Sequence, residues 1–100
     1  MGQILVAGNQ PDVVYKDPDE VRDYPIDWSR DLPPGVTITD SQFLPADPAL
    51  IVETDSSEPT ATGVRFSGGT PNTRTKVTNR ATLSDGQIHD WTFIVVCRDR

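Results

Sequence analysis

Five acidic side chains fall within the thirteen residues Lys16–Trp28, which read KDPDEVRDYPIDW. Clustered carboxylates can hold a divalent cation or share a proton in acid–base catalysis. A calcium loop of the EF-hand type needs oxygen ligands at alternate positions, a central glycine and a closing glutamate. Asp17, Asp19 and Asp23 do not have that spacing, and no glycine follows them. An oxygen cage assembled from separate loops stays open at this point. The competing reading is structural. Asp17 before Pro18 has the form of a capped single turn, with proline at its first position and Asp19 and Glu20 as favourable early charges. Val21 and Tyr24, three residues apart, would both be buried by such a turn.

The other chemistry-bearing residues are sparse. His89 is the single histidine and stands beside Asp90. On a strand, neighbours point to opposite faces, so the two cannot readily pair as base and orienter. No G-x-S-x-G elbow presents a serine nucleophile. Ser67-Gly68-Gly69-Thr70-Pro71 lacks the lysine and the following helix of a phosphate loop and reads as a β-turn. Cys97 is the single cysteine, so no intramolecular disulfide and no cysteine-based metal site can form. The expectation is therefore a chain that is not an enzyme and carries no cofactor. Arg74, Lys76 and Arg80 fall on one face of a strand and are expected to pair with local carboxylates such as Asp90 across a hairpin.

The elements that position these residues read as strands. Val, Ile and Thr make up 27 of the 100 residues, and such side chains are stiff at χ1 and fit a pleated sheet. No window of a dozen residues carries the apolar spacing of an amphipathic helix. Short apolar pieces occur at 4–6 and 13–15. In 21–28, Tyr24, Ile26 and Trp28 alternate with Asp23, Pro25 and Asp27; Pro25 implies an unpaired side or a bulge there. Val36–Asp40 runs on toward Phe43-Leu44. Leu50–Glu53 is a short strand that gives way to a polar loop, 54–59. Thr60–Phe66 and Thr73–Thr82 alternate cleanly. Ser84-Asp85-Gly86 supplies a hairpin turn, and Gln87–Arg98 follows with apolar residues on both faces. Six or seven short strands with turns every eight to twelve residues suggest an antiparallel, immunoglobulin-like β-sandwich, without the Cys…Trp…Cys pattern of antibody domains. Trp28, Phe66, Trp91 and Phe93 are its expected core.

One domain fits this length. With 35% hydrophobic and 24% charged residues, the composition is that of a folded, soluble chain. A formal charge of −6 argues against nucleic acid as the main partner. No apolar run approaches the ~20 residues of a membrane span. The segment 1–15 divides from the domain 16–100 at Lys16-Asp17-Pro18. Its apolar residues Ile4, Leu5, Val6, Val13, Val14 and Tyr15 are candidates for partner binding. They form either a first strand on their own sandwich or an arm that adds a strand to a neighbouring subunit.

The combination KDPDEVRDYPIDW, SGGT and KVTNRATLSDGQIHDWTF resembles a family of small immunoglobulin-like phage structural proteins, the fibre–tail adaptors. The matching positions are Lys16 to Glu20, Asp23 to Trp28, Ser67 to Thr70, Val77 to Thr82, Asp85-Gly86 and Asp90. The resemblance covers residues 16–100, is weakest between Pro33 and Pro59, and leaves 1–15 outside. It implies a virion structural protein of the tail, assembled in the host cytoplasm. Such a protein would attach fibre or other tail components by protein–protein contacts in a homo-oligomeric ring. A capsid decoration protein and a calcium-dependent carbohydrate-binding module are the rival expectations.

Overall fold

The computed structural model describes residues 5–8 and 12–99. Eight strands form two four-stranded sheets packed face to face. They are β1 (Leu5–Val6), β2 (Val13–Lys16), β3 (Arg22–Asp27), β4 (Ile38–Pro45), β5 (Leu50–Glu58), β6 (Ala61–Gly68), β7 (Thr73–Leu83) and β8 (Ile88–Cys97). The first sheet has the order β1-β3-β6-β5 and the second β2-β8-β7-β4. No helix occurs among the described residues.

Alternation builds the core. Tyr24 and Ile26 of β3, Val64 and Phe66 of β6, Val77 and Ala81 of β7, and Phe93 and Val95 of β8 point inward and are buried, together with Trp28 just past β3. Each large side chain so buried stabilises by roughly 1.5–3 kcal/mol relative to exposure. Phe43 meets Phe66 edge to face across the sheets, with centroids 6.5 Å apart. Trp28, Phe66, Trp91 and Phe93 all lie in this core, as their strand positions imply.

The segment before Lys16 divides between the sheets. Leu5 and Val6 run parallel to Ile26 and Asp27. Val13 to Lys16 run parallel to Ile94 to Cys97. The sandwich is therefore mixed rather than purely antiparallel. A chain that crosses from one sheet's edge to the other's keeps its direction, and each of its strands meets a neighbour running the same way. Pro25 pairs with Gly63 of β6 on one side, and the position opposite it on the other side lies outside the described residues.

Three expectations are corrected. Among the described residues the strands number eight where six or seven were expected. The polar stretch 54–59 is not a loop: β5 continues to Glu58 and pairs with β6 along its length, after a bulge between Val52 and Thr54. Backbone pairing to β6 holds it there although every side chain from Glu53 to Glu58 is exposed. At the opening stretch, Asp17 and Glu20 close a β-turn, but Val21 is 61% exposed and not buried. Glu20 N donates to Asp17 O (2.9 Å), Asp19 N to Asp17 Oδ1 (2.9 Å) and Asp17 N to Glu20 Oε1 (2.9 Å). That turn delivers the chain to β3 at Arg22, so the inward phase starts at Tyr24 and misses Val21.

Candidate functional site

The motif residues are used inside the sandwich. Lys16 is 1% exposed, and its ammonium donates to Asp17 O (2.9 Å) and Gly68 O (2.7 Å). It thereby ties the acidic turn to the glycine turn after β6. Burial pulls its pKa below the usual lysine range, opposed by the nearby Cys97 thiol and the carboxylates of Glu20, Asp17 and Asp19. The glycine turn is clamped from both sides. Gly68 and Gly69 adopt φ of +71° and +108°. A Cβ would lie 2.5 Å from Ala49 O at Gly68 and 2.5 Å from Cys97 Sγ at Gly69, so side chains are excluded by space as well as by backbone conformation. Cys97 is buried, and burial pushes its thiol pKa up.

Asn79 anchors a second set of contacts. Its side-chain oxygen accepts from Trp28 Nε1 (2.9 Å) and Thr62 Oγ1 (2.7 Å). Its amide nitrogen donates to Ser41 Oγ (2.9 Å) and Gln42 O (3.0 Å). Two residues of the first sheet's side and two of β4 thus meet at one buried amide. No buried side-chain polar atom among the described residues lacks a partner.

The candidate catalytic residues do not converge. His89 and Asp90 do point apart. Asp90 pairs in bidentate fashion with Arg80 (2.9 and 3.0 Å). His89 turns toward Asp31 (3.3 Å) and Gln87 Oε1 (3.1 Å) at one end of the sandwich. Arg80 thus finds the cross-hairpin carboxylate expected of it, whereas Arg74 and Lys76 form no ion pair among the described residues. Among the described residues no three His, Cys, Asp or Glu side chains are placed to hold a metal ion.

Of the six N-terminal candidates, Leu5 and Val14 face the chain's own core, at 4% and 0% exposure. Val6 and Val13 are half-buried and face outward, each on a different sheet, and Tyr15 is exposed beneath Arg98, whose guanidinium lies 5.4 Å from the ring centroid. Ile4 lies outside the described residues. Sequence reasoning missed the buried Lys16 and the Asn79 hub. Their hydrogen-bond partners come from strands and turns distant in the chain, and Lys16 sits in a run that reads as solvated.

What remains exposed is two broad outer faces. On the first sheet, Asp23, Asp27, Glu53 and Glu58 stand around a floor of small residues: Pro25, Gly63, Ala61 and Ser56. A shallow depression of about 350 Å³ lies over Gly63, and Arg65 closes one end through a bidentate pair with Asp23 (2.7 and 3.1 Å). On the second sheet, Arg74, Lys76 and Arg80 of β7 lie beside Ile94, Thr92 and Val96 of β8, with Val13 and Tyr15 of β2 beyond.

Residues 16–96 match the family model described as "Podophage GP4 fiber-tail adaptor protein gp77". The chain belongs to this fibre–tail adaptor family. Its members form a structural class, which makes this chain a phage tail component that binds other tail proteins. No curated protein matches the sequence. Among solved structures, a cysteine protease inhibitor from Entamoeba histolytica superposes with a TM-score of 0.59 over 95% of this chain and 93% of that one, at 12% identity. That likeness is one of fold. The adaptor family's match begins at Lys16, the residue whose ammonium bridges the two turns.

One prediction follows from the adaptor's carboxylates. Asp23 and Asp90 are held below the ordinary 3.8 chiefly by hydrogen bonds from Arg65 and Arg80. Asp27 is lowered by the Ser29 backbone N–H, and Asp47 by that of Ala49 together with the Thr70 hydroxyl. Each depressed group stabilises the fold above its unfolded value, and that contribution disappears as pH falls through the lower folded value. Urea midpoints should therefore stay level from about pH 7 to about pH 5 on their account and drop below about pH 4. An unchanged midpoint at about pH 3 would show that these contacts carry no stability.

Proposed function

We propose that the chain is a tail–fibre adaptor that works as a homo-oligomeric ring. Many weak contacts, repeated around the ring, would hold fibre to tail through avidity. The observation that carries this reading is the division of labour in the molecule. The side chains that mark the family close turns and fill the core, and the two wide faces are left for partners. The segment before Lys16 serves both ends of that division. Leu5 and Val14 anchor it, while Val6, Val13 and Tyr15 look outward and touch a neighbour. In this reading the sandwich is immunoglobulin-like, with its first strand shared between sheets. Assembly takes place in the host cytoplasm before the virion is released.

The test uses purified protein with fibreless tails, isolated fibres and tailless capsids, followed by co-sedimentation. Binding to tails and to fibres is expected. The combined substitution of Val6, Val13 and Tyr15 by Asp, assayed at temperatures where its melt shows it folded, should weaken tail binding by about tenfold or more. Binding to capsids and not to tails would transfer the chain to capsid decoration and sink the adaptor reading.

A further inference from the structure

We infer that successive copies dock face to face, the acidic outer face of the β1-β3-β6-β5 sheet receiving the basic outer face of the β2-β8-β7-β4 sheet of the next copy. This rests on the adaptor reading only in that copies assemble with one another.

The two faces are opposite in sign. The first carries Asp23, Asp27, Glu53 and Glu58 against Arg65, with Arg30 near Asp27. Arg65 is already matched to Asp23. The second carries Arg74, Lys76 and Arg80, and Arg98 lies over Tyr15 at its margin. Asp90 there is matched to Arg80, and Asp40 stands at the far end opposite Thr82. The unmatched charges are thus carboxylates on one face, Glu58 among them, and the cations Arg74 and Lys76 on the other. Stacking like faces would oppose charges of one sign. Stacking unlike faces joins them, and such like-sign clashes discriminate strongly against wrong pairings.

Shape agrees with charge. Pro25, Gly63, Ala61 and Ser56 keep the acidic face low, which lets another sheet approach to the ~10 Å of ordinary sheet packing. Tyr15 at 46% and Leu44 at 42% exposure stand out from the basic face, as Ile51 at 45% does from one end of the acidic face. At the rise and spacing of paired strands, the 2, 6, 8 and 9 residues of β1, β3, β6 and β5 give the smaller face roughly 400 Å². The ~800 Å² total is that of a weak contact, which repetition around an assembly strengthens. Because the two patches differ, the contact is head-to-tail, and repetition closes a ring or runs on as a filament.

The experiment compares two variants in sedimentation velocity at about 50 mM and about 500 mM salt, where screening lengths differ several-fold. Arg74→Glu with Lys76→Glu breaks the basic face. Ser56→Lys with Glu58→Lys breaks the acidic one. All four positions are exposed, and thermal melts confirm folding. The wild-type chain should form oligomers that weaken with salt, and each variant alone should fall to monomer. Mixed together, the variants should associate with one another, since the intact acidic face of one meets the intact basic face of the other. The inference is overturned if the wild type stays monomeric up to about 1 mM at low salt, the weakest range worth calling association. It is equally overturned if either variant assembles normally or the mixture forms no complex. A chain that assembles in this way yet ignores tails and fibres would sink the adaptor reading and leave this contact standing.

Discussion

Asn79→Leu should cost about 3 kcal/mol and lower Tm by roughly 12–20 °C, although the two side chains are close in volume. The asparagine amide accepts from Trp28 and Thr62 and donates to Ser41 and Gln42. Leucine fills the same space and offers none of these four bonds. Trp28 Nε1 keeps Thr62 Oγ1 at 3.1 Å, but the Thr62 hydroxyl loses its acceptor and the Gln42 carbonyl its amide donor. Each buried polar group left alone costs about 1–3 kcal/mol. The loss cannot relax easily, because the hub holds residues of both sheets. Chemical denaturation of the variant decides it. A loss below about 1 kcal/mol would mean that water replaces the amide and that the hub is dispensable.

The second large effect is expected on removing residues 1–15. The deletion strips Leu5, Ala7 and Val14 from the core and uncovers the edges of β3 and β8. Leu→Ala alone in a core costs about 2–5 kcal/mol. The total should approach the ~5–15 kcal/mol that hold a domain of this size together. The shortened chain should therefore be largely unfolded at 37 °C, as read by circular dichroism and amide exchange. A cooperative melt close to that of the full chain would show instead that the segment is dispensable to its own sandwich and free to serve a neighbour. The outward triple Asp substitution at Val6, Val13 and Tyr15 separates the two roles, since it leaves the buried anchors in place.

The legible and illegible parts of this fold differ in physical kind. Strands β6, β7 and β8 declare themselves through a period of two and an Asp-Gly turn, both local signals. The second half of β5 declares nothing. Thr54 to Glu58 are polar on both faces, and only the backbone of β6 makes them a strand. Val21 is a misleading case: its type suggests burial, while the Asp17–Glu20 turn sets a phase that excludes it. Lys16 is the converse, a charged residue whose burial depends on Gly68 O, 52 positions away. The basic residues of β7 were legible as a stripe. Their acidic counterpart was not, because it is assembled from β3 and β5, which meet only through β6.

The pairing of β2 with β8 sets a timetable for biosynthesis. Val13 finds its partner in Ile94, so translation must pass β8 before the second sheet can close. A topology so rich in non-local pairing completes in roughly milliseconds to seconds. Val13 and Tyr15 join Ile94 and Val96 on the outer face only at that moment. A nascent chain that has not yet reached β8 therefore lacks the finished outer face of the second sheet.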